Sequence, residues 1–281
     1  MRIRRMEIKE FGSTGRRVSE LGLGTYYDPN WMFWAYLGWK RGALGRIDAI
    51  KAGLDGGINL VDTAESYNSE GLVAEAIAGR KREDLFIATK VTPTHLGYKS
   101  VFRALEGSLK RLRTSYVDLY QIHFPRPLMS MAETMRAMEE LLDQGKIRGI
   151  GVSNFSLKQM VEANSSLKKA KLTSTQMEYS LVHREIEKDI IPYCRENGIA
   201  VLAYRPLGHG RLAAEQTNLT RFCEKYSKTP AQIAIKWLCS QPNVFPIPRA
   251  SNVAHVNENL GASGWHIDEE DLRELDRLYA A

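Results

Sequence analysis

Short apolar runs and longer amphipathic stretches alternate along the whole chain. The runs are residues 20–25 (ELGLGT), 58–62 (INLVD), 85–90 (LFIATK), 117–123 (VDLYQIH), 147–153 (IRGIGVS), 172–178 (LTSTQME), 199–204 (IAVLAY) and 244–248 (VFPIP). Each is brief, carries β-branched residues and is mostly bounded by Gly, Pro or polar residues, as buried strands are. The stretches between them repeat at helical spacing. Residues 46–55 place Ile47, Ile50, Ala52 and Leu54 before Gly56-Gly57; residues 99–112 repeat Val101, Leu105, Leu109 and Leu112. Residues 132–142 repeat Met135, Met138, Leu141 and Leu142 before Gly145, and residues 184–197 stop at Gly198. A glycine after the last periodic position is a helix stop.

Parallel strands need crossover helices, so strand–helix alternation predicts a parallel sheet. Eight such units predict closure into a (β/α)8 TIM barrel, where five or six would leave an open sheet. Residues 1–18, broken by Gly12 and Gly15, read as an N-terminal β-hairpin, and residues 268–279 read as a C-terminal extra helix with Leu272, Leu275 and Leu278 on one side. No linker divides the chain, and 281 residues suit one barrel domain spanning 1–281.

Composition narrows the function. Apolar residues make up 43% of the chain and charged residues 26%, ordinary for a globular protein. The net charge of +6 raises nucleic acid, membrane surface or a small anion as partners, yet the basic residues are scattered. The densest runs, Arg2, Arg4 and Arg5, and Lys168, Lys169 and Lys171, read as solvated faces. The three cysteines, Cys194, Cys223 and Cys239, form no CxxC pair, and the histidines form no HExxH, so neither a disulfide framework nor a zinc site is expected. With no apolar leader and no run of about 18 apolar residues, the expectation is a cytoplasmic protein acting on a small molecule, with no membrane or nucleic-acid partner.

Polar residues stand where the barrel strands end, the face on which barrel active sites form. Asp62 ends the second strand, Lys90 the third and His123 the fourth; Tyr67 follows Asp62 by five residues. Taken singly, Asp62 could cap a helix, Lys90 could be surface, Tyr67 could pack a loop and His123 could be satisfied structure. Together they aim an acid, an ammonium, a phenol and an imidazole into one mouth. A lysine ammonium beside a phenol favours phenolate and lowers its pKa, and a carboxylate keeps the lysine charged. Such a phenol can protonate a developing alkoxide while the imidazole orients the carbonyl oxygen.

These residues carry a family resemblance. DTAESYNSE (62–70), IATK (87–90), DLYQIHFP (118–125), GKIRGIGVSNF (145–155), AYRPLGHGRL (203–212) and IPRASNVAHVNENL (247–260) resemble, in order, the aldo-keto reductase family over essentially the whole chain. The resemblance implies reversible reduction of aldehydes or ketones with NADPH, or less often NADH. It implies Tyr67 as general acid, Lys90 tuning it, Asp62 pairing with Lys90, and His123 placing the carbonyl. It implies Ser153, Asn154 and Gln176 on the nicotinamide carboxamide and Tyr204 stacked on the ring. Arg205, Leu207, Gly208 and Gly210 would lie along the pyrophosphate, Arg249 would meet the 2′-phosphate, Ala250 would touch the cofactor, His255 would make an adenosine-phosphate contact, and Glu258 and Asn259 would face adenine. Phosphate sites in barrels often follow the seventh and eighth strands, which agrees. The GxGxxA of Gly208, Gly210 and Ala213 lacks the acidic residue a dinucleotide fold places about 20 positions on.

The chain departs from the family at Asn68, where glycine is common, at Arg205, where serine is common, and at His255, where arginine is usual. These departures bear on cofactor preference rather than chemistry. Residues 26–39 hold three Trp, three Tyr and one Phe, either packing over the barrel or walling the substrate mouth. Substrate contact is expected for Tyr26, for at least one of Trp31 and Trp34, and for Phe124. The alternative function is a nucleotide-binding regulatory barrel subunit with little turnover. The natural substrate and the oligomeric state are not legible.

Overall fold

The computed structural model describes residues 6–39, 41–127, 130–214 and 218–280; Arg2, Arg4 and Arg5 lie outside them. Among these residues the strands are β1 (Ile8–Glu10), β2 (Arg17–Ser19), β3 (Gly22–Gly24), β4 (Leu60–Asp62), β5 (Phe86–Val91), β6 (Leu119–Ile122), β7 (Ile150–Ser153), β8 (Ser174–Glu178), β9 (Ala200–Tyr204) and β10 (Val244–Pro246). The helices are α1 (Pro29–Tyr36), α2 (Ala43–Asp55), α3 (Glu70–Ile77), α4 (Tyr98–Leu112), α5 (Met131–Asp143), α6 (Leu157–Ser166), α7 (Ile190–Asn197), α8 (Arg211–Ala214), α9 (Thr220–Tyr226), α10 (Pro230–Ser240), α11 (Val253–Leu260) and α12 (Glu269–Leu278).

Strands β3 to β10 form one parallel eight-stranded sheet in sequence order. A parallel bridge between Gly24 and Arg249 closes it into the expected barrel, with the Gly24 amide donating to the Pro248 carbonyl at 3.1 Å. Glycine is required at this seam, because a Cβ on Gly24 would stand 2.7 Å from the Ile247 carbonyl oxygen. Leu60, Phe86, Leu119, Leu202 and Phe245 fill the lower lumen around the buried ring of Phe11. That ring lies 4.6 Å from Phe86 and 5.0 Å from Phe245.

Phe11 leaves the N-terminal hairpin formed by β1 and β2, which turns through Gly12 and Gly15, both at positive φ, and plugs the barrel floor. The plug is locked by residues far along the chain. Lys9 donates to the carbonyl of Cys239, and the Glu7 amide donates to Ser263 Oγ at 3.1 Å. Buried Glu20 takes Lys236 Nζ at 3.3 Å and Ser263 Oγ at 2.6 Å.

One sequence expectation needs correction. Residues 184–197 do not form one helix: a 3-10 turn over Glu185–Glu187 precedes α7, because Asp189 caps the Ile190 amide and starts a new helix. Part of the aromatic stretch is helical. Asp28 accepts from the Trp31 amide, Pro29 occupies the first turn, and the segment becomes α1. The terminal helix is present as α12, with Asp268 immediately before its first turn.

Candidate active site

The upper lumen changes from apolar to polar within one residue pair per strand. Asp62 ends β4, Lys90 lies in β5 and His123 directly follows β6, and the strand register sets Asp62 beside Ala88 and Lys90 beside Gln121. After β4 the chain makes a 3-10 turn over Glu65–Tyr67, which swings the phenol back over the barrel. The turn ends at Asn68 with φ 56°, a left-handed position where asparagine is tolerated far better than most residues. This explains how Asn68 stands where glycine is common. Its side-chain amide also donates to the Met32 carbonyl at 3.1 Å, tying the turn to α1.

The four expected catalytic side chains meet. Lys90 Nζ directs its three donors to Asp62 Oδ2 at 2.8 Å, the Thr63 carbonyl at 2.9 Å and the Tyr67 hydroxyl at 3.3 Å. The Tyr67 hydroxyl lies 3.3 Å from His123 Nε2, and Ser66 Oγ lies 3.3 Å from His123 Nδ1. Asp62, Lys90, Tyr67 and His123 are all buried. Gln176 Nε2 donates to Asp62 Oδ1 at 2.8 Å, reaching across the lumen from β8 on the opposite wall. The sequence assigned Gln176 to cofactor alone and missed this contact, which only barrel closure creates.

Burial governs the titration of the site. It raises the Asp62 carboxyl and lowers the Lys90 ammonium, while their mutual attraction opposes both. Burial, followed by the Asp62 charge, holds the Tyr67 phenol well above its ordinary value. Desolvation of the phenolate outweighs the lowering expected from Lys90, and Tyr67 keeps its proton. Burial, then Lys90, lowers His123 to about 3, so the ring is neutral at pH 7.

That shift has a stability consequence. Above pH 6.5 neither the folded nor the unfolded chain protonates this residue, and below it the unfolded chain binds a proton that folded His123 refuses. Stability is thus expected to fall by about 1.4 kcal/mol per pH unit from roughly pH 6.5 down to 3 on this account. Urea unfolding of wild type and His123→Asn at pH 7 and 4.5 checks it; equal slopes for the two proteins would refute it.

The residues expected at the cofactor also converge. Ser153 ends β7, and Asn154 Nδ2 donates to the His123 carbonyl at 3.1 Å and to Ser153 Oγ at 2.9 Å. The Tyr204 hydroxyl, at the end of β9, donates to Asn154 Oδ1 at 2.8 Å. Arg205, Gly208, His209 and Gly210 all take positive φ in the loop that follows, with Leu207 among them. Arg205 pairs with Glu178 at 2.9 Å, and His209 approaches the same carboxylate at 3.3 Å. Glu178 was not among the expected site residues. Arg249 and His255 are exposed, Glu258 is half-buried, and Ala250 and Asn259 are buried.

The aromatic residues divide. Tyr26 is 39% exposed, its ring 5.1 Å from that of Tyr67, and Phe124 is 45% exposed, stacked 4.8 Å from His123. Trp34 is half exposed beside Trp39. Trp31 is enclosed: it is 6% exposed, edge-on to Tyr27, its N–H bonded to the Arg41 carbonyl and its ring 4.7 Å from the Arg46 guanidinium. Of the Trp31 and Trp34 pair, Trp31 is thus a core residue. Trp31→Ala is expected to cost about 3–5 kcal/mol of stability, whereas Tyr26→Ala shifts KM for carbonyls at nearly unchanged stability. Thermal melts beside steady-state kinetics separate the two, and a stable Trp31→Ala with altered KM would reverse the assignment.

Among the described residues no group of three or more His, Cys, Asp or Glu side chains is placed to hold a metal ion, and no helix is long and apolar enough to cross a membrane.

Comparison with known proteins identifies the family. A family profile described as Aldo/keto reductase family matches residues 43–280. The aldo-keto reductase YhdN of Bacillus subtilis is 32% identical over 97% of this chain and 93% of its own. The methylglyoxal reductase YeaE of Escherichia coli is 35% identical over 84% of each chain. Among solved structures, the thermostable aldo-keto reductase Tm1743 in complex with epalrestat superposes with a TM-score of 0.86 at 38% identity, over 97% of this chain and 100% of that one. An aldo/keto reductase from Klebsiella pneumoniae, solved with NADP and acetate, gives 0.86 at 33% identity, over 98% and 95%. The chain belongs to the aldo/keto reductase family and is an oxidoreductase.

Proposed function

We propose that the chain acts as one barrel domain that reversibly reduces aldehydes or ketones to alcohols with NADPH, with Tyr67 as general acid. The observation that carries this reading is the buried chain Asp62–Lys90–Tyr67–His123, whose phenol and imidazole meet at 3.3 Å in the barrel mouth.

The residues fit the cofactor. The carboxamide of a nicotinamide needs both donors and acceptors, and Ser153, Asn154 and Gln176 bring both kinds to the ends of β7 and β8. Tyr204 offers a ring at the end of β9, and the positive-φ loop with Gly208 and Gly210 leaves backbone open to a pyrophosphate. Exposed Arg249 suits the 2′-phosphate that distinguishes NADPH from NADH, and the NADP complex of the Klebsiella relative supports that choice. When bound, the reduced nicotinamide supplies the hydride.

The chain's own residues do the rest. Lys90 donates to the phenol oxygen, which leaves the phenol proton free to turn toward the mouth. As Tyr67 gives that proton to the new alkoxide, its phenolate forms beside an ammonium, which favours the transfer. Asp62, itself held by the Gln176 amide, fixes the ammonium. Neutral His123 bonds the carbonyl oxygen and orients it. Tyr26 and Phe124 flank the reacting carbonyl, and Trp34 extends that wall.

The test follows NADPH and NADH oxidation against a panel of aldehydes and ketones. Turnover with NADPH preferred is expected. Arg249→Ala is expected to weaken NADPH binding roughly 10- to 100-fold, the worth of a charge-assisted bond to phosphate, and to leave NADH binding unchanged in a fluorescence titration. Tight NADPH binding with no turnover on any carbonyl would overturn the reading in favour of a regulatory barrel subunit.

A further inference from the structure

His123 has two ring nitrogens, and the reading above uses one. Nε2 faces the Tyr67 hydroxyl at the mouth; Nδ1 faces Ser66 Oγ, 3.3 Å away. The neutral ring carries one proton, so two arrangements compete. With the proton on Nδ1, Ser66 accepts it, Nε2 is bare, and the Tyr67 hydroxyl donates to Nε2. The acid's proton is then directed at the histidine and no imidazole N–H faces the mouth. With the proton on Nε2, the Tyr67 O–H and the His123 N–H can both donate to one carbonyl oxygen. That arrangement leaves an Nδ1 lone pair that needs a donor.

A hydroxyl can be that donor. A backbone carbonyl at the same place would force the other tautomer, since it can only accept. Ser66 is the residue before the acid, in the same 3-10 turn. That turn is braced by the bond from the Tyr67 amide to the Ala64 carbonyl at 3.1 Å and by the bond from Asn68 to Met32. One rigid turn therefore holds both the phenol and the hydroxyl that faces the far side of the imidazole. The other contacts of His123 leave Nδ1 alone: its carbonyl accepts from Asn154, and its ring face stacks on Phe124.

We propose that Ser66 is a positioning residue that donates its hydroxyl hydrogen to His123 Nδ1 and so keeps the imidazole in its Nε2–H form, giving the mouth two donors for one carbonyl oxygen. The proposal rests on the carbonyl-reduction reading. One proton leaves Tyr67 in each reduction, and His123 keeps its own.

The experiment is 15N NMR of the histidine-labelled protein, free and with NADP+ added, for wild type, Ser66→Ala and Ser66→Thr. Wild type and Ser66→Thr are expected to show His123 with a protonated Nε2 and a bare Nδ1. Ser66→Ala is expected to show a substantial Nδ1–H population. Its kcat should fall roughly three- to tenfold, the range one hydrogen bond supplies, with NADP+ affinity unchanged. A protonated Nδ1 in the wild type overturns the proposal, as does a Ser66→Ala spectrum identical to wild type. The spectra need no turnover, so a protein that reduces no carbonyl yet shows a Ser66-dependent Nε2–H would refute the reductase reading and leave the Ser66 contact standing.

Discussion

Tyr67→Phe is expected to lower kcat by roughly 10²–10⁴-fold, the contribution of a positioned general acid, while NADPH binding stays nearly unchanged. The substitution removes one oxygen from a buried ring and alters little else. The ring keeps its edge contact with Tyr26, 5.1 Å between centroids, and its place above Lys90. Two groups then lie close to the reacting oxygen, and neither is a proton donor of the right kind. His123 is neutral, held near 3 by burial and Lys90, and gives up an N–H proton only at great cost. Lys90 keeps two donors on Asp62 and Thr63, and the third, which faced the Tyr67 oxygen, belongs to an ammonium held in its charged form by the Asp62 carboxylate. The residues expected at the cofactor lie on β7, β8, β9 and beyond, and the Tyr67 hydroxyl bonds to His123 and Lys90 rather than to any of them, so fluorescence titration with NADPH should give the same Kd as wild type. Single-turnover kinetics decide the matter. Retained turnover would remove Tyr67 from the chemistry, and lost cofactor binding would show that the ring is needed for the shape of the mouth.

Lys90→Met should be the most destabilising single change in the site, at about 3–5 kcal/mol, because it leaves a buried carboxylate without its cation. Asp62 would retain the Gln176 amide but lose the 2.8 Å ion pair, and the Thr63 carbonyl would lose its donor too. Adding Asp62→Asn removes the orphaned charge and should restore part of the loss, since replacing both partners of a buried pair is far milder than breaking it. Denaturant unfolding of wild type, Lys90→Met and the double variant measures this. A single variant as stable as wild type would mean that Asp62 is already protonated in the folded protein. Both variants should turn over poorly, but only the single one should unfold early.

How much of this was legible in the sequence depends on the kind of contact. The eight barrel strands stood out because each is buried on both faces and reads as a short apolar run. Asp62, Lys90 and His123 stood out because polarity at the end of such a run is costly unless it is used. Contacts across the lumen were hidden, since Gln176 and Asp62 come together only through closure of the sheet. The seam itself is a single bridge at Gly24 and carries no periodic signal. Helix α1 was hidden because apolar residues face both ways along it, Trp31 and Ala35 inward and Phe33 and Trp34 outward. The signal was present in Asp28-Pro29, a cap followed by a first-turn proline, and in the four-residue spacing of the two buried positions. Spacing alone could not say that Trp31 is enclosed while Trp34 is open. The lowering expected of the Tyr67 phenol is outweighed for a related reason: the sequence gives its charged neighbours but not the depth of the mouth.

The hairpin that plugs the barrel floor also sets a timetable for biosynthesis. Three of the contacts that hold it and the adjoining Glu20 reach far downstream: Lys9 waits for Cys239, 230 residues later, Glu20 for Lys236, 216 later, and Glu7 for Ser263, 256 later. A ribosome adds about 5–20 residues per second, so the plug stays without these partners for roughly ten to fifty seconds after it is made. The walls can assemble meanwhile, because each parallel strand pairs with the next one synthesised. A segment made early is thus fully secured only late, when Lys236, Cys239 and Ser263 have joined the chain.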